Sequence, residues 1–144
     1  MKIRTLTPND FPEWLALWNA NNMGYKDEAV TTQTWARLLD NSSTVNALVA
    51  EDTGALIGLL QYVIHPTTGS LTDICYMQDV FVAPEKRGKG IAKKMIKELE
   101  RLGRQEKWSR IYWLAEADNE AAQALYKNLG QKMDFTLHIL PINS

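Results

Sequence analysis

The chain has 144 residues, of which 45% are hydrophobic and 23% are charged, and its formal net charge is −1. This length predicts one domain over residues 1–144 with a buried core. A near-neutral chain has no bulk charge with which to bind nucleic acid, so we expect no nucleic-acid partner. The only cysteine, Cys75, excludes an internal disulfide, and no cysteine or histidine spacing predicts a metal site.

The location of the protein is predicted from what the sequence lacks. Residues 1–10 do not resemble a signal peptide or a transit peptide. No apolar run approaches the roughly 18 residues that a membrane-spanning helix needs. We therefore expect a cytoplasmic protein with no membrane partner.

The first half of the chain predicts a strand, two helices and a hairpin. Thr7 and Pro8 are typical of a helix start, and Asp10 suits the positive end of that helix. Asp52-Thr53-Gly54 has the composition of a hairpin turn. In chain order we expect a strand over 2–6, a helix through Phe11, Trp14, Leu15 and Trp18, a loop over 19–26, a helix over 31–39, and strands over 46–51 and 55–65.

The second half predicts alternating strands and helices. Apolar residues from Ile91 to Leu102 fall on one helical face, and Gly130 has the residue type of a helix C-cap. The pattern predicts one α/β or α+β sheet domain. The expected elements are a strand over 73–83, a helix over 90–105, a strand over 110–116, a helix over 119–129 and a final strand over 133–140.

The turn over residues 87–92 has the composition of an anion site. A helix N-terminus presents unpaired N–H groups and a partial positive charge, which suit a phosphate. Gly88 and Gly90 let the backbone approach an anion closely, while Arg87, Lys89 and Lys93 add charge-assisted hydrogen bonds. The sequence therefore predicts a phosphate-containing ligand at this turn.

The spacing of this turn distinguishes between phosphate ligands. A Walker A loop does not match, and a dinucleotide fingerprint fails because Lys93 occupies the position of its third glycine. The pattern [RQ]xxGx[GA] does match, through Arg87, Gly90 and Ala92. This pattern resembles motif A of the GCN5-related N-acetyltransferases (GNAT), in which it binds the pyrophosphate of coenzyme A.

A second segment extends the resemblance. Asn119, Tyr126 and Gly130, with the alanine and leucines between them, are similar to the second GNAT motif. In relatives, this asparagine lies against the coenzyme A arm and this tyrosine lies near the thioester sulfur. Three stretches, 14–18, 77–82 and 111–113, look like the small fungal histone/polyamine and D-amino-acid acetyltransferase subgroup.

The resemblance implies a fold and an activity. The implied fold is a single α/β (α+β) GNAT-type domain, with a mostly antiparallel twisted sheet of six to seven strands and about four helices. The implied activity is transfer of acetyl from acetyl-CoA, without a metal, to a primary amine of a small molecule by direct attack in a ternary complex. An amino acid, a polyamine or an aminoglycoside would suit this reaction, and a homodimer is expected. The alternatives are acetylation of protein lysines or N-termini, and a non-catalytic coenzyme A sensor.

The resemblance implies a role for Tyr126, whereas Asp79 and Glu116 are candidates from their places on the strand before motif A and at the end of the next strand. Tyr126 is the expected acid for the departing thiolate, and Asp79 or Glu116 is the expected base. Strand alternation places Asp79 on the face opposite Gln78 unless a bulge intervenes. Asp79 has a rival role in holding the cationic amine, and backbone N–H groups near Phe81 are expected to stabilise the oxyanion. The residues expected to contact acetyl-CoA are Val80, Phe81, Val82, Arg87, Gly88, Lys89, Gly90, Ile91, Ala92, Lys93, Asn119 and Tyr126.

Overall fold

A computed structural model of the chain describes residues 1–22 and 27–142. These residues form two compact units, one over Met1–Leu114 and one from Ala115 onward. The predicted loop over 19–26 begins later than expected, because residues 19–21 still belong to a helix, and residues 23–26 lie outside the described residues.

The first unit contains most of the regular structure, and its predicted order of strands and helices is confirmed. Its elements are β1 (Lys2–Thr5), a 3₁₀ turn (Pro8–Asp10), α1 (Phe11–Asn21), α2 (Glu28–Leu39), β2 (Val45–Asp52), β3 (Ala55–His65), β4 (Ile74–Val82), a second 3₁₀ turn (Pro84–Lys86), α3 (Ile91–Glu106) and β5 (Ile111–Tyr112).

One mixed sheet joins the strands in the order β1-β2-β3-β4-β5. Neighbouring strands are antiparallel except β4 and β5, which are parallel. The predicted hairpin turn is confirmed, because Thr53 (φ 49°) and Gly54 (φ 82°) both take the left-handed conformation between β2 and β3. The expected six to seven strands are too many, since the described residues form five.

Helices pack on both faces of this sheet. Leu59 of β3 lies in a core with Trp14 and Leu17 of α1, and Trp35 of α2 packs against the same core. A Cβ built on Gly58, the preceding residue, would lie 3.0 Å from Cε of Met95 in α3. Because consecutive strand residues face opposite sides, α1 and α2 cover one face and α3 covers the other.

The start of α1 is held by ion pairs. Arg4 donates to both carboxylate oxygens of Asp10, at 2.8 and 2.9 Å, and its Nε donates to Glu51 at 3.0 Å. The backbone N–H of Thr7 also donates to Asp10, at 2.8 Å. Thr7 is the N-cap of the 3₁₀ turn, as predicted for a helix start, but α1 itself begins three residues later, at Phe11. Hydrogen bonding from Arg4 lowers the pKa of Asp10 to about 2, although burial of the carboxyl opposes this change.

The second unit has one helix, α4 (Glu120–Tyr126), which is shorter than predicted. Gly130 therefore lies beyond the helix end and is not its cap. The strand predicted over 133–140 is wrong, because these residues form no strand in the structure. Alternating hydrophobicity is only one requirement of a strand, and hydrogen-bonded pairing with another strand is the other.

The strand predicted over 110–116 is also too long, because pairing stops at Tyr112. Within residues 1–22 and 27–142, no helix has the length and apolar character needed to cross a membrane.

Candidate active site

The predicted phosphate turn has an open backbone that two glycines allow. Gly88 (φ 79°) and Gly90 (φ 78°) both take the left-handed conformation, which side chains disfavour. A Cβ at either glycine would meet no atom within 4 Å, so the space above the turn is free among the described residues. Gly90 is the N-cap of α3, which spans 16 residues.

The first turn of α3 has the electrostatics of an anion site. The N–H groups of its first three residues have no carbonyl partner one turn earlier, and the first acceptor, the carbonyl of Gly90, binds Lys94 N at 3.0 Å. No acidic residue lies in this turn, and Lys89 and Lys93 are exposed beside it. Ile91 is buried, so its side chain belongs to the core and only its backbone faces an anion.

Arg87 connects this turn to the end of β4. Its Nε donates to the carbonyl of Val82 at 2.9 Å, and its guanidinium carbon lies 5.2 Å from the centroid of the Phe81 ring. The side chain is exposed, and no described residue bonds its two terminal nitrogens. Arg87 therefore both fixes the turn and presents positive charge to solvent.

One edge of β4 is open beside this turn. The pairs Cys75–Ile111 and Tyr76–Tyr112 are the whole of the β4–β5 ladder. From Met77 to Val82, β4 therefore pairs with β3 alone among the described residues. Along such an edge, alternate residues present unpaired backbone N–H and C=O groups. This is the stretch that the sequence predicts for oxyanion stabilisation.

A β-bulge at Gln78 determines where Asp79 lies. Gln61 pairs with Asp79, whereas the next residue of β3, Tyr62, pairs with Met77, so Gln78 has no partner of its own. Without the bulge, Met77 and Asp79 would share the face covered by α3. The bulge instead places Asp79 on the face covered by α1. The sequence pattern made the face of Asp79 depend on whether β4 has a bulge, and the structure has one.

Asp79 is a half-buried carboxylate held by neutral donors. Nε2 of Gln61 donates to its Oδ2 at 2.8 Å, and Nδ2 of Asn21 lies 3.4 Å from its Oδ1. In the part of the chain that the structure describes, no Lys, Arg or His nitrogen forms an ion pair with it. The carboxylate is therefore oriented while its charge is not neutralised.

A pair of tyrosines lies on the same face as Asp79. The rings of Tyr76 and Tyr112 stack with centroids 5.0 Å apart and an interplanar angle of 17°. The Tyr112 hydroxyl lies 2.8 Å from Nε2 of His65. Burial, followed by the charges of Tyr112 and Asp79, raises the pKa of Tyr76. Tyr76 therefore stays neutral beside the carboxylate at physiological pH.

The second unit contains the other predicted catalytic residues. Tyr126 is half-buried, and burial raises the pKa of its phenol, which keeps the group protonated at neutral pH. The side chain of Asn119 accepts from Ala122 N at 3.0 Å and caps α4. Glu116 is exposed, and Nε2 of Gln123 donates to its backbone carbonyl at 3.0 Å rather than to its carboxylate.

Residues 9–131 match the Acetyltransferase (GNAT) family. The chain belongs to the GNAT family. This membership confirms an acetyl-CoA-dependent N-acetyltransferase, as the two motifs predicted.

Individual relatives agree with this assignment. The D-amino-acid N-acetyltransferase HPA3 of Saccharomyces cerevisiae is 28% identical over 142 residues, which cover 94% of this chain and 88% of the yeast protein. This relative is consistent with the predicted likeness to the fungal subgroup.

Solved structures confirm the fold alone. The aminoglycoside acetyltransferase AAC(6')-Iy, in complex with a bisubstrate analogue, superposes with a TM-score of 0.84 at 20% identity and covers 99% of this chain and 98% of that one. A ribosomal-protein-alanine N-acetyltransferase from Brucella melitensis gives 0.82 at 22% identity, covering 99% and 100%.

The turn of this GNAT protein fits the pyrophosphate of coenzyme A. The space above Gly88 and Gly90 is free, and a pyrophosphate oxygen needs such space in order to reach the unpaired N–H groups at the start of α3. Arg87, Lys89 and Lys93 are exposed cations in the turn and in the first turn of α3, so the residue types present suit a doubly charged anion.

Two residues of the site were not predicted from the sequence. Gln61 and Asn21 both contact Asp79, and neither belongs to a recognised motif. One signal for Gln61 was available, because it is the only polar side chain between Ile57 and Ile64 of a strand otherwise filled with apolar residues, glycine and one tyrosine. Asn21 carries no such signal, because it lies in the run Asn19-Ala20-Asn21-Asn22, where it does not differ from the asparagines around it.

Proposed function

We propose that this GNAT protein transfers the acetyl group of acetyl-CoA to the primary amine of a small cationic molecule, by direct attack in a ternary complex. The observation that carries the proposal is the unneutralised carboxylate of Asp79, half-buried beside the open edge of β4. A carboxylate held by neutral donors retains its charge for a substrate ammonium. The same unit contains the turn that fits the pyrophosphate of the donor.

The backbone between β4 and α3 positions the donor in this proposal. The pyrophosphate lies at Gly88, Gly90 and the N–H groups of Ile91 and Ala92, with Lys89, Lys93 and Arg87 around it. The thioester carbonyl lies along β4 beside Phe81, where Val80 and Val82, as alternate residues, direct their N–H groups to the open edge and toward its oxygen. These donors are fixed by the β3–β4 ladder before the substrate arrives.

Asp79 holds the amine and accepts its proton. Once the amine is deprotonated, its lone pair attacks the thioester carbonyl carbon and a C–N bond forms. The nitrogen then releases its second proton to solvent, and collapse of the tetrahedral intermediate breaks the C–S bond. Glu116 is the alternative base, but its exposed side chain has no fixed orientation comparable with that of Asp79. Orientation and partial burial therefore favour Asp79.

Tyr126 protonates the departing thiolate in this proposal. A phenol can serve as an acid only while it is protonated, and burial raises the pKa of Tyr126 in the direction that keeps its proton. Asn119, at the start of the same helix, supports the coenzyme A arm. Replacement of Tyr126 by Phe is expected to lower kcat and to leave coenzyme A affinity unchanged.

We also propose that the protein forms a homodimer. Phe135, Leu137 and Ile139 alternate along the chain and expose 82%, 65% and 77% of their surface. Apolar side chains exposed in this regular pattern are typical of a segment covered by a partner. Sedimentation equilibrium tests the proposal, and a monomer at micromolar concentration would contradict it.

A panel of amines, assayed with acetyl-CoA by release of free thiol, tests the enzymatic proposal. The panel contains D- and L-amino acids, polyamines, aminoglycosides and lysine peptides. We expect turnover with at least one free small amine and lower kcat/KM with peptides. Binding of coenzyme A without turnover of any amine would contradict the proposal and would favour a sensor of the same fold.

A further inference from the structure

A chain of hydrogen bonds runs from the core of the first unit to Asp79. Nε1 of Trp14 donates to Oε1 of Gln61 at 3.0 Å, and Nε2 of Gln61 donates to Oδ2 of Asp79 at 2.8 Å. The first of these hydrogen bonds joins α1 to β3, and the second joins β3 to β4. Together they tie the carboxylate to two elements other than its own strand.

The orientation of the Gln61 amide is determined by its two partners. An indole N–H can only donate, and an ionised carboxylate can only accept. The amide oxygen of Gln61 must therefore face Trp14, and its NH₂ group must face Asp79. In the reverse orientation the amide NH₂ would face the indole N–H and the amide oxygen would face the carboxylate, so both hydrogen bonds would be lost.

Burial removes the alternatives to this arrangement. Trp14 is fully buried and Gln61 is 4% exposed, so water cannot replace either bond at small cost. Trp14 is further fixed by ring contacts with Trp18 and Trp35, whose ring centroids lie 5.3 and 4.9 Å from its own. A rigid aromatic cluster thus holds the amide, and the amide holds one oxygen of the carboxylate.

We propose that Gln61 is a positioning residue for acetyl transfer, which directs the Asp79 carboxylate toward the acceptor amine and is itself held by Trp14. This inference rests on the role proposed above for Asp79. Gln61 occupies one side of Oδ2, and the weaker contact from Asn21 at 3.4 Å leaves Oδ1 with capacity for an ammonium. The amide adds no positive charge, so it orients the carboxylate without competing for the cation.

Gln61→Met tests this positioning role. Methionine has a similar length and packs in an apolar strand, but it cannot donate to Asp79. We expect kcat/KM for the amine to fall about tenfold or more, because the bond that is lost has a charged acceptor. The KM for acetyl-CoA should stay within about twofold, since the phosphate turn is untouched.

Gln61→Glu supplies a readout that a purely structural role would not change. It places a second carboxyl against Oδ2 of Asp79, and two adjacent carboxylates retain a shared proton to higher pH. The acidic limb of the pH profile of kcat/KM should therefore move to higher pH. Tyr76, the other titratable group beside Asp79, is neutral throughout that range, because its pKa is raised.

A matched pair of tryptophan variants separates positioning from packing. Trp14→Phe removes the donor to Gln61, whereas Trp18→Phe removes a donor to Thr31 (2.8 Å) from the same helix and the same ring stack. Both should lower the melting temperature. Only Trp14→Phe should also lower kcat/KM for the amine, by about fivefold or more, since a misplaced group close to the chemistry slows it.

The outcomes distinguish this inference from the proposed function. In one outcome, Asp79→Asn is inactive, but Gln61→Met has the kcat/KM of the wild type and Gln61→Glu has its pH profile. In that case only the positioning role of Gln61 is wrong. If Asp79→Asn retains wild-type activity, the proposed role of Asp79 is wrong and the inference falls with it. Equal losses of activity in Trp14→Phe and Trp18→Phe would also contradict the inference, because the effect of Trp14 would then be explained by packing and not by its hydrogen bond to Gln61.

Discussion

Two aspartates lie at opposite ends of α1, and the groups that hold them differ in charge. Asp10, just before the helix, receives two hydrogen bonds from the guanidinium of Arg4. Asp79, which contacts the last helical residue Asn21, receives bonds only from neutral amides among the described residues. One carboxylate is neutralised by an arginine, while the other has no ion pair in the part of the chain that the structure describes, which is the basis of its proposed role with an external cation.

This difference separates a stabilising carboxylate from a reactive one. A carboxylate paired with arginine contributes to folding and has little remaining affinity for a cation. A carboxylate held by neutral amides has its direction fixed and its charge left open. Substitutions at the two ends of α1 should therefore have opposite consequences, one for catalysis and the other for stability.

The largest effect is expected from Asp79→Asn. The variant keeps the size of the side chain but loses the base and the charge that holds the ammonium, so kcat/KM for the amine should fall about 10²–10⁴-fold. The free energy of unfolding, measured by urea denaturation, should change by less than about 1 kcal/mol. A large loss of stability with unchanged turnover would break the comparison, because Asp79 would then behave as Asp10 does.

Asp10→Ala is expected to show the converse behaviour. It leaves Arg4 without its bidentate partner and Thr7 N without an acceptor, which should destabilise the protein by about 2–3 kcal/mol. The midpoint of urea unfolding measures this loss. At a temperature where the variant is still folded, its kcat/KM should equal that of the wild type. Reduced turnover there would contradict a purely structural role.

Asn21→Arg would convert the surroundings of Asp79 into those of Asp10. The guanidinium should pair with the carboxylate and compete with the substrate ammonium, raising the KM for the amine about 10–100-fold. Asn21→Gln is the matched neutral control and should change KM by less than about threefold. If both variants have the same KM, charge at this position has no influence on amine binding.

The pH dependence of stability gives the smallest predicted effect. Asp10 has a folded pKa of about 2, below its ordinary value of 3.8, so its contribution is fully present above pH 3.8 and is lost as the pH falls toward 2. The stability difference between wild type and Asp10→Asn should therefore be smaller at pH 3 than at pH 6. Equal differences at the two pH values would show that Arg4 does not perturb this carboxyl.

Much of the fold could be predicted because local chemistry determines it. Thr7 and Asp10 predicted the helical turn that leads into α1, and Thr53-Gly54 predicted the hairpin, since each turn depends on residues near one another in sequence. The segment over 133–140 was predicted wrongly for the converse reason. Its alternating pattern is local, but a strand also needs a partner edge, which no local pattern supplies.

The candidate site was predictable only in part. The phosphate turn carries its chemistry in consecutive residues, so Gly88 and Gly90 were found from the sequence. The surroundings of Asp79 were not, because Gln61 and Asn21 lie 18 and 58 residues away along the chain. The bulge at Gln78 likewise depends on pairing with β3. The residues that contact acetyl-CoA, the catalytic roles of Tyr126, Asp79 and Glu116, the acceptor amine, the homodimer and the cytoplasmic location stay predictions.

The bulge at Gln78 has a consequence for how the site can change. Between the pairs Gln61–Asp79 and Tyr62–Met77, β4 contains one residue more than β3. A deletion of Gln78 would leave every other residue of β4 opposite its present partner and would remove only the excess length that bends the strand. The curvature of β4 at this point is therefore encoded as a residue count, which can be altered while every other side chain of the strand is retained.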